Sequence, residues 1–312
     1  MKIKKIIISV IIVLVVIIGA GTIGIGNYFY NLAINPNTSK EKVFGNENDE
    51  SVEVSSQVTR NWILDEISYE DKYIISDDDL KLHGYEIKNN DSNVWVITIH
   101  GYMGEGSDMD SYAQQFYNMG YNVLVPDLRS HGKSEGDYIG MGWDDHYDIK
   151  KWINYIIENH SDADIILHGV SMGGATVMMT SGEELPSNVK ALIEDCGYTS
   201  AEGEFGYQLE RLFNLPKTPI LQISSLVTKF RAGYWFGQAS SIEQLKKAER
   251  PMLFIHGSED DFVPFSMLDE VYDAASIEKE KLVIEGAEHA KAAKTNPELY
   301  WSTVSEFINK YI

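Results

Sequence analysis

Four stretches of the chain, VWVITIH at 94–100, VLVPD at 123–127, IILHG at 165–169 and MLFIHG at 252–257, are nearly unbroken apolar runs ending in Gly, Asp or His. A strand that is apolar on both sides of its pleat must be covered on both faces, which only a mostly parallel sheet flanked by helices achieves. The full set of expected strands is Ile67 to Ile75, Leu80 to Ile87, Val94 to Ile99, Asn122 to Val125, Ile165 to His168, Ala191 to Asp195, Met252 to Ile255 and Lys281 to Ile284. Helical patterns fall between them at Ser107 to Met119, Asp145 to Asn159, Met172 to Ser181, Ser266 to Ala275 and Pro297 to Tyr311. Such alternation means an α/β fold, and its chemistry belongs at the C-terminal ends of the strands.

One segment breaks the rhythm. Between Gly197 and Ser240 the chain carries Phe205, Leu209, Phe213, Leu221, Leu226, Phe230, Tyr234 and Phe236 at mixed helical spacing with no strand. It is too long for a plain loop, so it is expected to form a helical cap over about 198–240, inserted after the sixth strand and roofing the site.

The start of the chain is of a different kind. Lys2, Lys4 and Lys5 precede an apolar run from Ile6 to Ile25 broken only by Ser9 and Thr22. As a helix it would span roughly the 30 Å of a bilayer core, and it is longer than the h-region of a signal peptide. We expect residues 1–26 to be a retained anchor, with the N-terminus cytoplasmic and the rest outside the cell membrane by the positive-inside rule. Cleavage near Gly19 to Gly26 would give a secreted protein instead. Residues 27–60, polar and rich in Asn, Ser and Glu, read as a linker, leaving 61–312 as one catalytic domain of about 250 residues.

Composition excludes several function classes. A net charge of −21 repels phosphate backbones, so nucleic acid is not an expected partner. Cys196 is the only cysteine, which rules out an internal disulfide and a Cys-rich metal site. No metal and no organic cofactor is expected, and oligomeric state is not legible.

His168-Gly169-Val170-Ser171-Met172-Gly173-Gly174 follows one strand and opens a helical pattern. G-x-S-x-G alone arises by chance in about one chain in ten, but strand before and helix after fit a nucleophile elbow, where the backbone bends sharply and Oγ projects above the sheet. A serine nucleophile needs a base, and His289, just after the last strand in KLVIEGAEH, stands where the base is required. The acid that orients it belongs after the seventh strand in HGSEDDFVP. Asp260 is favoured; its neighbour Asp261, and Asp195 at the end of the sixth strand, are the other candidates. Donors for an oxyanion are expected from the backbone N–H of Met172 and from Tyr102 in the loop HGYMG.

Taken in order, HGYMG, PDLRSHGKSEG, GVSMGG, HGSEDDFVP and the closing Glu-His pair resemble the α/β-hydrolase superfamily, in its bacterial serine aminopeptidase and prolyl-oligopeptidase-like branch. The resemblance covers about Trp62 to Ile312. It implies an eight-stranded, mostly parallel sheet, and it places nucleophile, acid and base on Ser171, Asp260 and His289 with oxyanion donors at Tyr102 and Met172. It also implies that Asp127, Arg129 and His131 are mainly structural. The expected activity is hydrolysis of carboxylic esters or thioesters with an apolar part under the cap. A peptidase or amidase, with Glu202 or Glu204 meeting a substrate amine, and a binding protein without turnover are the alternatives.

Overall fold

The computed structural model describes residues 2–40, 60–89 and 92–312. Eight strands form one sheet: β1 (Glu70–Ile75), β2 (Lys81–Ile87), β3 (Val94–Ile99), β4 (Asn122–Pro126), β5 (Asp164–Val170), β6 (Val189–Asp195), β7 (Met252–Gly257) and β8 (Lys279–Ile284), in the order β1-β2-β4-β3-β5-β6-β7-β8. The β1–β2 and β2–β4 pairs are antiparallel and all others are parallel. All eight expected strands are present, and their ends move by no more than a few residues.

The apolar runs behave as parallel strands should. Trp95, Ile97 and Ile99 of β3, Ile165 and Leu167 of β5 and Phe254 of β7 enter one core layer, while Val94, Val96, Ile166, Leu253 and Ile255 enter the other. The residues of β3, β4 and β7 are buried throughout, on one of two dry faces, which burial of apolar area stabilises by about 25 cal/mol per Å². Helices α2 (Asp110–Asn118), α3 (Trp143–Asn159), α4 (Met172–Ser181), then, beyond the β6 insertion, α7 (Ser241–Leu245), α8 (Ser266–Ala274), α9 (Ala292–Thr295) and α10 (Pro297–Ile308) supply the cover.

After β6 the chain leaves the sheet to form α5 (Ala201–Phe213) and α6 (Lys217–Ala232). The Ser200 and Ser240 hydroxyls cap the helices that follow them, accepting from the N–H groups of Gly203 and Glu243, and an antiparallel bridge joins the two serines. The insertion is therefore pinned at its neck.

The N-terminal region differs from expectation. Helix α1 runs from Lys2 to Ala33, past the expected linker boundary at residue 27, and Tyr30, Leu32 and Ile34 are buried. The Ile34 carbonyl accepts the Ile139 N–H, and Lys40 lies under the Tyr102 ring at 4.4 Å. Asparagines made this stretch read as a spacer, but Asn27 and Asn31 instead receive hydrogen bonds from Arg231 of α6, so residues 27–40 belong to the folded body. The remainder of the expected linker, 41–59, lies outside the described residues, as do most side chains of the apolar run before Gly21. Among the described residues no helix is long and apolar enough to cross a membrane.

Candidate active site

Ser171 sits between β5 and α4 at φ 57° and ψ −117°, a left-handed conformation that costs a non-glycine residue on the order of 1–3 kcal/mol. The flanking glycines make the turn possible. A Cβ on Gly169 would lie 2.2 Å from the Gly173 carbonyl oxygen, and one on Gly173 would lie 2.1 Å from that of Ile99. Both contacts are to backbone, so no side-chain adjustment relieves them.

Ser171 is buried, and its hydroxyl donates to His289 Nε2 at 2.9 Å. His289 Nδ1 in turn donates to Asp260 Oδ2 at 2.7 Å. The imidazole is held on its face by Phe262, whose ring centroid is 4.9 Å away. Asp260 Oδ1 accepts the N–H groups of Phe262 and Val263 at 3.0 and 2.9 Å, so both carboxylate oxygens are committed. Three residues from three separate loops thus form one hydrogen-bonded line. A hydroxyl, an imidazole and a carboxylate so connected can move a proton off the hydroxyl while the carboxylate stabilises the resulting imidazolium.

The sequence left the acid open among three residues, and the structure brings one of them to the imidazole. Asp261 faces outward, where it pairs with Arg211 at 3.1 Å. Asp195 is buried but accepts the Tyr300 hydroxyl at 2.9 Å, and burial pushes its carboxyl up to about 6. Burial acts in the same direction on Asp260, yet hydrogen bonds and charge from His256 and His289 outweigh it and hold its pKa down at about 2. Asp260 is therefore ionised wherever the imidazole can act as a base.

His256 is the functional contact that sequence reasoning missed. Read there as a strand end, it places Nε2 3.2 Å from Asp260 Oδ2 and 3.0 Å from the Val263 carbonyl. Burial disfavours its charge, but the Asp260 carboxylate prevails and its pKa stands above the ordinary value. Its position two residues before a helix-free Ser-Glu-Asp turn was the available signal; nothing in the pattern told it from a core histidine.

The expected oxyanion donors lie beside the serine. Met172 is the first residue of α4, where N–H groups have no intrahelical acceptor. Tyr102 lines the same pocket as Ser171, and its loop approaches so closely that a Cβ on Gly101 would be 3.3 Å from that of Ser171. His100 fixes this loop, with Nδ1 donating to the Gly101 carbonyl at 2.8 Å and Nε2 accepting from Leu128 N–H at 3.0 Å. Asp127 and Arg129 are structural, as the resemblance implied. Asp127 bonds His83 and the N–H groups of Gly106 and Lys133, and Arg129 pairs with Asp148 and Asp78. His131 Nδ1 donates to the Arg129 carbonyl at 2.9 Å, and burial drops its pKa to about 3.

Cys196, Asp260 and His289 each place a possible ligand atom within 4.8 Å of the others. Burial raises the Cys196 thiol well above its ordinary pKa, and the other two are already bonded to each other, which makes a poor metal site.

The pocket over Ser171 is roofed by cap and leader together. Phe205, Leu209, Phe213, Leu221 and Phe236 descend from the insertion, and Phe29, Leu32 and Ala33 come from α1.

A family model described as serine aminopeptidase, S33, matches residues 90–204, which include the HGYMG loop and the serine turn. The Bacillus subtilis protein YqkD is 29% identical over 73% of this chain and 75% of its own length. Among solved structures, the Pyrococcus furiosus esterase Pf2001 superposes with a TM-score of 0.65 at 25% identity, covering 78% of this chain and 93% of that one. An acetyl xylan esterase from Paenibacillus sp. R4 shares the fold at a TM-score of 0.62 and 16% identity, over 81% and 87% of the two chains.

Proposed function

We propose that this chain, which belongs to the α/β-hydrolase superfamily, is a serine hydrolase acting through an acyl-enzyme on carboxylic esters or thioesters. The observation that carries the reading is the continuous line from Ser171 Oγ through His289 to Asp260 at 2.9 and 2.7 Å. His289 Nε2 takes the Ser171 proton as Oγ attacks the substrate carbonyl carbon. The charge that develops on the carbonyl oxygen is met by the N–H groups of Tyr102 and Met172. Collapse expels the alcohol or thiol, which leaves with the proton from His289. Water then loses a proton to the same imidazole and releases the acid, restoring the serine. Asp260 keeps Nδ1 protonated throughout and stays ionised.

Ester preference is supported by the apolar lining of the pocket and by the esterase Pf2001 among structural relatives. Aminoacyl amide hydrolysis is the second reading. It draws on the matching aminopeptidase family model and on Glu204, which lines the pocket, whereas Glu202 is exposed. Matched p-nitrophenyl esters and aminoacyl p-nitroanilides decide between them: esters should turn over with a pre-steady-state burst, and faster turnover of the anilides would overturn the preference.

The reading also includes a membrane tether. The run Ile6 to Ile25 behind three lysines supports it, as do the exposed apolar side chains Ile23, Ile25 and Tyr28 on α1 and Phe230, 83% exposed, on the neighbouring α6. The catalytic domain would then face the outside of the cell. Carbonate-resistant sedimentation with membranes is the expected result, and release of the full chain into the soluble fraction would contradict it.

A further inference from the structure

Helix α1 does more than lead into the domain. Its last turns are fastened to the cap at several points. Gly26 lets it press on α6, since a Cβ there would lie 2.7 Å from Val227 Cγ2 and 2.9 Å from Ile223 Cγ2. Arg231 donates to Asn27 and Asn31 and stacks 4.0 Å over the Tyr30 ring, and the Phe29 ring meets Phe213 edge-on at 5.4 Å. It is fastened to the reaction centre too. The hydroxyl of Tyr102, in the loop beside Ser171, donates to the Ala33 carbonyl at 2.7 Å. One side of the pocket over the serine is consequently made by Phe29, Leu32 and Ala33.

The chemistry of that pocket selects its occupant. Most of its polar groups are consumed internally: the Gln208 amide donates to Glu204 and to the Phe262 carbonyl, and the Ser224 hydroxyl to the Ile220 carbonyl. Among the described residues Tyr198 Oη and Glu204 Oε2 have no hydrogen-bond partner, and burial pushes the Glu204 carboxyl up to about 8, which favours its neutral form. What faces a ligand is hydrocarbon and aromatic rings.

We infer that the C-terminal turns of α1 are a specificity wall, and that the substrate is a lipid-like ester whose single apolar acyl chain lies between α1 and the cap. This rests on the serine-hydrolase reading and adds to it the residues that set chain length. Phe29, Leu32 and Ala33, which sequence alone assigned to a linker, are then binding residues.

The test is an acyl-chain series of p-nitrophenyl esters from acetate to dodecanoate, hydrolysed by the full chain in lipid nanodiscs, with fluorophosphonate labelling of Ser171 measured in parallel. In the wild type kcat/KM should rise about fourfold per methylene until the chain reaches the wall, the factor that burying a CH₂ gives. Ala33→Trp should move the optimum to shorter esters and lower the dodecanoate-to-butyrate ratio at least tenfold. Leu32→Ala, which enlarges the space and guards against a misfolded tryptophan variant, should move the optimum to longer ones. Ile23→Ala, on the exposed face of the same helix, should leave the profile as it is. Labelled Ser171 with the same chain-length profile in both wall variants would overturn the inference and leave the hydrolase reading standing. A wild type that does not label would remove both.

Discussion

Replacing Gly173 by alanine tests whether the serine turn is set by backbone packing. The new Cβ would stand 2.1 Å from the Ile99 carbonyl oxygen, 2.7 Å from its carbon and 2.8 Å from the His100 carbonyl oxygen. Ordinary contact begins near 3.4 Å, so β3 and the first turn of α4 must separate by roughly 1 Å, at a cost of about 1–3 kcal/mol for overpacking. For a domain of this size that lowers Tm by about 2–12 °C. The same shift carries Ser171 away from His289 and moves the Met172 N–H off the oxyanion, and a 1 Å misplacement costs about 10²-fold in rate. Gly174→Ala, whose Cβ meets its nearest backbone atom at 3.0 Å, should be the milder of the pair. Thermal unfolding and the rate of fluorophosphonate labelling read the two effects. A Gly173→Ala protein with wild-type Tm and labelling rate would refute the packing argument.

Three further outcomes are expected. Asp260 is held at about 2 against an ordinary 3.8, so its ionisation contributes about 2 kcal/mol of stability that is present above pH 4 and lost as pH falls toward 2. In urea unfolding, Asp260→Asn should show no such loss across that window. Glu204 is shifted the other way, to about 8 by burial, so it favours the folded state below about pH 4.5 and progressively less as pH rises toward 8; the Tm advantage of Glu204→Gln over wild type should grow between pH 5 and pH 8. His256→Gln removes the 3.2 Å contact that helps keep Asp260 ionised, so it should lower kcat/KM by roughly 10-fold, the factor of about 1.4 kcal/mol, and raise the acid limb of the pH–rate profile.

The parts of this protein that sequence reveals are those where local pattern and tertiary demand coincide. The β3, β5 and β7 runs are apolar at consecutive positions because both faces are buried, and G-x-S-x-G is legible because only glycine fits against the backbone at Gly169 and Gly173. Asp260 is already preferred to Asp261 in the sequence, and its carboxylate is the one that points inward to His289. What escaped depends on partners distant in the chain. His256 became a support of the acid through a side-chain direction that no spacing encodes. Residues 27–34 looked like polar spacer because the partner that satisfies Asn27 and Asn31, Arg231, is about 200 positions away, and the surface that buries Tyr30, Leu32 and Ile34 is built by the cap and the loop at Ile139.

The central claim is that Ser171 is an activated nucleophile, and intact-mass measurement after treatment with a fluorophosphonate tests it most directly, on wild type beside Ser171→Ala. One covalent adduct on the peptide containing Ser171, absent from the variant together with a fall in kcat on the order of 10⁶, is the predicted result. Folded wild-type protein that takes up no adduct, or a Ser171→Ala protein that is labelled and turns over esters as before, would contradict it.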